Sequence, residues 1–544
     1  MSLRNGIGLL FSLSALALLI ACGGSSPPTA VAPPSGGFSN SNLSGTYVFS
    51  VSGVDVNGAA FAIVGTLVAN GSGGNGKGGI TGGSIDINDE EFSPPVAAVA
   101  INGNSYYTVG VDGRGTATIG TASSTGFGNI TLDFVLTSST HGLITEFDGN
   151  ASGSGTLDLQ TAGLTQSSLT GPYAFSFSGV DANGSAFATV GGFTLGASGA
   201  ISPGTGAEDF NDSDLAYPNE SLSGLVALGP SSTPATTLTT AAFGTLTFDV
   251  YAIDSTHLKF IEMDTQAAPI FSGDAYSQPS TAITGTMAFT LAGFVSGGAP
   301  AAAGGFLVTD GAGNITTAST EDVNQDVNGA GVASTSPLSF SGTYTSAGSL
   351  IAGRSVLTLA GFFGGSGFAA YPSSGGLLLL ENDDAGIMTG AAYPQSSTTF
   401  AAAQGYGLNL TGDNLADGVE VDDIAEFTAT SSGLTVNGLI DENDDPGGSR
   451  IFDQVLTGTY AVPDSNGRGA IAATTGNTLN GEFGLTFYTV DGTTFPFIES
   501  DSGQIATGVF VLQNSSSASP GVARSNMFIV RPLVRPHSAK QQKK

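Results

Sequence analysis

Tryptophan is missing altogether, and the chain of 544 residues has one cysteine, Cys22, and three histidines, His141, His257 and His537. One cysteine excludes any disulfide within the chain. Three scattered histidines exclude the common zinc sites, which need three or four convergent ligands, and leave a histidine-based catalytic triad unsupported. Positive charge is nearly as scarce. All 44 acidic residues lie between Phe38 and Pro520, against six basic ones, Lys77, Arg114, Lys259, Arg354, Arg450 and Arg468. Such a body repels nucleic acid and anionic membrane, so no nucleic-acid partner is expected. Charged residues amount to only 10% of the chain, yet 40% is hydrophobic, so the composition is that of a folded protein. Long apolar runs are confined to Ile7–Ile20, too short to cross a bilayer comfortably.

What is present is repetition. Leu43 to Phe61 reads LSGTYVFSVSGVDVNGAAF, and Leu169 to Phe187 reads LTGPYAFSFSGVDANGSAF. The opening phrase returns in weaker form at Gly285–Gly293 and Tyr406–Gly412. A second anchor is acidic and is expected to be a loop: Asp86-Ile-Asn88-Asp89, Asp209-Phe-Asn211-Asp212, Asp322-Val-Asn324-Gln325 and Asp441-Glu-Asn443-Asp444. A third is Glu146-Phe-Asp148, Glu262-Met-Asp264, Glu381-Asn-Asp383 and Glu499-Ser-Asp501, whose glutamates are spaced by 116, 119 and 118 residues. The order never changes, so the chain divides into four tandem domains, at 41–163, 167–279, 282–397 and 400–515.

The period inside a copy is two. Tyr47, Phe49 and Val51 share one face and Val48, Ser50 and Ser52 the other, which predicts a half-buried antiparallel strand. Asn57-Gly58 and Asn183-Gly184 follow at once and predict a hairpin. About eight such strands per copy, with glycine in nearly every one, predict an all-β fold of four closed up-and-down barrels, with a two-sheet sandwich as the alternative. In pattern each copy resembles the small lipocalin and avidin barrels, without their motifs.

The N-terminus has Arg4 before the apolar stretch and ends it with Leu19-Ile20-Ala21-Cys22. This resembles the lipobox of bacterial lipoproteins. The resemblance implies a signal peptide at 1–21, cleavage before Cys22 and lipidation of its thiol, hence an exported protein anchored in a membrane, with the outer membrane or cell surface as its address. Residues 22–40, rich in Pro, Gly and Ser, read as a flexible tether, and 516–544 as a basic tail. With the repeats, the lipobox makes the whole chain similar to Gly-rich tandem-repeat lipoproteins of environmental bacteria, a resemblance that brings no activity with it.

Two sets of side chains invite chemistry. The Asp/Asn loops (Asp86, Asn88, Asp89, Asp209, Asn211, Asp212, Asp441, Asn443, Asp444) are oxygen-rich and read either as weak calcium sites or as turn structure; no other cofactor is expected. The late glutamates share a strand face with large apolar residues, and a buried carboxylate needs a partner. Three arginines fall at one repeat position, so Arg114–Glu146, Arg354–Glu381 and Arg468–Glu499 are expected to pair inside or at the rim of each barrel. Nothing titratable recurs beyond Glu, Asp and Arg. The sequence therefore points to a non-enzymatic, lipid-anchored surface protein for display, adhesion or weak multivalent contact with glycan or matrix. The rival is a carrier of small apolar ligands in the barrels.

Overall fold

The structure is a computed structural model. It describes residues 37–515, apart from 73, 75, 92–93, 123–127, 214, 230–234, 266–268, 279–282, 347–352, 417, 444–449 and 477–481. The lipobox with Cys22, most of the tether, the basic tail and Asp444 lie outside the described residues.

Period-two patterning becomes four closed antiparallel barrels, Ser44–Leu159, Gly171–Ser277, Gly285–Pro394 and Gln404–Leu512, each strand pairing with the next and the last with the first. Each barrel has eight strands. In the first and third barrels the fourth strand is broken in two, Val96–Ala100 with Tyr106–Val109 and Gly331–Ala333 with Leu338–Ser346. The sandwich alternative is excluded by this closure.

The predicted hairpins form. Gly58 and Gly184 take positive φ, 79° and 77°, which a residue with a Cβ adopts at a cost. Asp55 and Asp181 hold these turns, each accepting two backbone N–H bonds of 2.7–2.8 Å.

Inward-facing aromatics fill the barrels. In the second, Phe177 packs on Phe175, Phe248, Phe260 and Phe271 with ring centroids 4.7–6.1 Å apart. In the fourth, Phe510 meets Tyr406, Phe427, Phe487 and Phe495 at 4.8–5.6 Å. Gly191 makes room for this filling, because a Cβ there would run into the ring of Phe175. The third barrel, lined by Phe289, Phe340, Phe362 and Phe368 among others, keeps an interior cavity of only about 10 Å³. That is about the space of one water. These interiors are cores, and the carrier reading loses its ligand space.

The outer faces are not what the sequence suggests. Val48 is fully buried and Ser50 nearly so, although both point away from their own barrel. Strands one to three of each barrel are covered on both faces, because their outer face lies against strands six to eight of the next barrel. Val48, Ala62 and Val64 of the first barrel pack on Tyr251, Ile253 and Ile261 of the second. Ile424, Val509 and Val511 of the fourth pack on Val135 and Leu143 of the first. The four barrels form a head-to-tail ring that closes on itself.

Candidate functional site

The repeated polar residues meet at the four seams of this ring. The Asp-x-Asn anchors are not loops. They lie on the third strand of each barrel, Gly78–Asp89, Gly206–Asp212, Asn314–Asp326 and Thr435–Asn443. Alternation there sends neighbours such as Ile85 and Ile87 into the core and Asp86 and Asn88 outward, into the seam.

Each asparagine reaches the next barrel. Asn88 Nδ2 donates to Glu262 O at 2.9 Å, Asn211 Nδ2 to Glu381 O at 3.1 Å, Asn324 Nδ2 to Glu499 O at 3.0 Å and Asn443 Nδ2 to Glu146 O at 3.0 Å. The second amide hydrogen finds a further acceptor in every case: Glu262 Oε2, Gly386 O, Gln504 O and Ala151 O. The second anchor of one repeat therefore docks onto the third anchor of the next. The amide suits this task because it presents two donors in one plane to the carbonyls that flank a hairpin turn.

Each aspartate makes a second contact. Asp209 receives Arg354 Nε at 2.8 Å, Arg354 Nη2, and the Tyr371 hydroxyl. Asp322 receives Arg468 Nε and Nη2, both at 2.8 Å, and Tyr488 Oη at 2.9 Å. Asp441 receives Arg114 Nη1 at 2.8 Å, and Asp86 receives Tyr251 Oη at 2.7 Å. At three seams a bulged residue of the fourth strand adds its N–H: Ala98 to Asp86, Asn219 to Asp209 and Asp453 to Asp441. All three take positive φ, 53°, 58° and 52°, so backbone strain is tolerated there to satisfy a buried carboxylate.

The expected pairs Arg114–Glu146, Arg354–Glu381 and Arg468–Glu499 are thereby corrected. In register, Arg114 stands opposite Val135 and Glu146 opposite Leu132. Val135 belongs to the seam and Leu132 to the barrel core, so arginine and glutamate lie on opposite faces of one sheet. The other two copies repeat this: Arg468 stands opposite Tyr488, and Glu381 and Glu499 stand opposite the core residues Phe368 and Leu485. The glutamates still sit inside, as their spacing implied. Glu146 and Glu262 accept the backbone N–H of Asp148 and Asp264, and burial pushes Glu262 up to about 9.

The sequence reading missed the glutamines that end each barrel, although their spacing of 118, 117 and 118 residues is a signal: Gln160, Gln278, Gln395 and Gln513. Gln160 Nε2 donates to Ala252 O at 2.8 Å and Gln395 Nε2 to Thr489 O at 2.9 Å. Gln513 Nε2 donates to Leu136 O at 3.0 Å, and Asn514 N to Thr137 O at 2.8 Å, whereas the buried Gln278 Nε2 makes no such bond. Linkers join the first three seams. The seam between the fourth and first barrels has no linker and makes the same bonds. Asn42 Nδ2 also donates to Ser515 O at 3.0 Å, so the two ends of the described chain meet.

His141 and His257 open their strands and bond Asp158 and Asp274 at 2.8 and 2.7 Å. Burial works to raise Asp274, but Lys259 and His257 bring it down to about 2. Among the described residues no group of three His, Cys, Asp or Glu side chains is placed to hold a metal ion. Asp86, Asn88, Asp209, Asn211, Asp441 and Asn443 are engaged in the seams; Asp89 and Asp212 close their strands beside the first hairpins, opposite Phe61 and Phe187.

No protein-family model and no curated protein matches the chain. Among solved structures it is similar to a transferrin binding protein B of Haemophilus parasuis Hp5, with 9% identity over 70% of this chain and 83% of that one and a TM-score of 0.19. It is also similar to the isotype 1 transferrin binding protein B of serogroup B Neisseria meningitidis, with 11% identity over 69% and 84% and a TM-score of 0.17. Scores this low do not amount to a shared overall fold.

Proposed function

We propose that the chain is a lipid-anchored, non-enzymatic protein of the bacterial cell surface, and that its rigid ring makes multivalent contact with a neutral surface polymer such as glycan or matrix. The observation that carries this reading is the distribution of exposed apolar side chains. Strands one to three and six to eight are occupied by seams, and the fourth strands face outward. Those strands carry Leu215, Val332, Leu338, Phe452 and Val455, each 45–54% exposed. Several outward apolar groups on one rigid body favour avidity over single-site affinity. The acidic body favours a neutral polymer over an anionic one. The meeting of the two ends at Asn42 and Ser515 lets one tether from Cys22 carry the whole ring.

The test uses cells expressing the full chain. Cys22→Ser is expected to move the protein from the membrane to the soluble fraction. The triple variant Leu215→Ser, Leu338→Ser, Val455→Ser is expected to lose retention on insoluble neutral polysaccharide while its thermal melt is unchanged. Continued membrane retention of the cysteine variant would refute the anchor, and undiminished polysaccharide retention of the triple variant would refute the contact surface.

A further inference from the structure

The seam that closes the ring carries acid that the linked seams lack. The second strand of the fourth barrel, Val419–Ala429, turns Asp422, Ile424 and Glu426 toward the first barrel. Register puts Ala62, Ala188 and Ala302 at the place of Asp422 in the other barrels, and Thr66, Gly192 and Phe306 at the place of Glu426. On the facing side, Asp133 of the first barrel stands where the third and fourth have Ala369 and Thr486. The second barrel has an acid there, Asp249, at a seam that a linker holds.

Arg114 is the cation at the centre of the closing seam. Its Nε donates to Asp112 at 3.2 Å, its Nη1 to Asp441 at 2.8 Å and its Nη2 to Asp453 at 2.6 Å, so three carboxylates already surround one guanidinium. Arg450, also at this seam, donates to Phe147 O. Asp422 accepts the hydroxyls of Ser152 and Ser154 at 2.7 and 2.5 Å. Asp133 and Glu426 are less well provided. They are 3% and 0% exposed, and Asp133 Oδ1 and Glu426 Oε2 have no hydrogen-bond partner among the described residues. Their other oxygens meet the neutral hydroxyls of Thr116 and Thr428. The charged groups facing Asp133 are Arg114 of its own barrel and Asp441 and Asp453 across the seam; those facing Glu426 are Asp112 and Arg114. Burial, reinforced by Asp441, pushes Asp133 up to about 7, and burial, reinforced by Asp112, pushes Glu426 up to about 9.

We propose that the closing seam is an alkali-operated latch: loss of the protons on Asp133 and Glu426 parts the fourth barrel from the first and turns the ring into an open string held by its three linkers. Two more negative charges in a dry interface that has one guanidinium among three carboxylates cannot be compensated there, whereas water solvates them on the opened faces. The closed seam binds two protons that the open faces release. The ratio of closed to open therefore falls by about 100-fold per pH unit between about 4 and 7, and by about tenfold per unit from there to about 9. At the first seam Asp249 lies near Asp86, but Lys259 reaches across to Ser50, and residues 160–170 keep the two barrels together.

The experiment is small-angle scattering of the full chain carrying Cys22→Ser, from about pH 6 to about pH 10. Circular dichroism follows the strands, and amide exchange, corrected for intrinsic rates, locates the opening. A reversible rise in scattering radius at unchanged strand content is expected, with exchange gained at the seam between the fourth and first barrels. Glu426→Gln combined with Asp133→Asn should stay compact over the whole range, and each single variant should raise the opening midpoint by about one pH unit or more. Glu426→Thr, which supplies the residue of the first barrel, should give the same shift and covers the case of a double variant that folds poorly. Asp249→Asn, at the equivalent place in a linked seam, should leave the midpoint unchanged. A constant radius up to the highest pH, an expansion that the double variant retains, an equal effect of Asp249→Asn, or loss of strand content before expansion would overturn the proposal.

Discussion

Replacing Arg354 by methionine tests the seam logic directly. Arg354 is 2% exposed and Asp209 0%, so the ion pair between the second and third barrels is dry. Removing the cation leaves a buried carboxylate with only Asn219 N and Tyr371 Oη as donors. Breaking such a pair from one side costs about 3–5 kcal/mol. For a unit the size of two barrels that is roughly 10 °C in Tm. Asp209→Asn in the same chain removes the stranded charge, so the double variant should recover most of the loss, with a coupling energy of about 2 kcal/mol or more. Denaturant unfolding followed by tyrosine fluorescence, with amide exchange to localise the opening, measures the loss and the coupling. The control is Glu381→Gln, which should be additive with Arg354→Met because the two residues lie on opposite faces of their sheet. A single-variant cost below about 1 kcal/mol, the level of an exposed ion pair, or coupling to Glu381 in place of Asp209, would refute the reasoning.

Stability should peak in mildly acidic solution. Glu208, Glu262 and Glu426 are pushed up by burial to about 8, 9 and 9, so the folded ring holds protons that the unfolded chain has lost, and stability falls as pH rises from about 4 to 9. Asp274, held at about 2 against its burial by Lys259 and His257, loses its contribution as pH falls below about 4. Melts from pH 2 to 9 with a maximum at or above pH 7 would contradict this. A circular permutant joining Ser515 to Gly37 through a short Gly/Ser linker and opened between Ser397 and Thr398 should keep its Tm within about 5 °C and its scattering radius, whereas an extended scattering curve would show that the ring does not close. Millimolar calcium should move the melt by less than about 2 °C relative to chelator, since the repeated Asp and Asn side chains are bonded into the seams; a larger saturable rise would establish an ion site.

The barrels were legible because their signals are local. Period two, Asn-Gly turns and four copies of three anchors suffice to draw eight strands and close them. The seams were harder. Period two says that Val48, Ser50 and Ser52 share a face, but not what covers it, and a face of Ala174, Ser176 and Ser178 reads as well for solvent as for contact. The composition held a clue. A solvated strand face usually carries Lys and Glu, whereas these carry Ala, Ser and Val, the small residues that let one sheet approach another. The arginine partners were misassigned for a similar reason. Arg114 and Glu146 recur together in three copies, but whether two residues on different strands share a face depends on the register between them, which the repeat does not state.

The ring also explains why the same residues recur in all four copies, including the one with no linker to its neighbour. A head-to-tail interface joins unlike surfaces, so any open string of these barrels would end with both halves unmatched. The last barrel would expose Asp441, Asn443, Ile424 and Val509, and the first would expose Arg114, Val135, Leu143 and the carbonyl of Glu146. Closure brings these two surfaces together through the bonds that hold the linked seams. The contacts are not uniform. Asp209 and Asp322 have both an arginine and a tyrosine, Asp441 an arginine with Val135 in the tyrosine position, and Asp86 a tyrosine without arginine. Every seam keeps at least one donor across the interface, which is the minimum a buried carboxylate requires. The geometry of closure is therefore set by the asparagine bonds common to all four seams, and the arginine and tyrosine are the adjustable part, which is why the seam that lacks its arginine can remain shut and still leave a cavity.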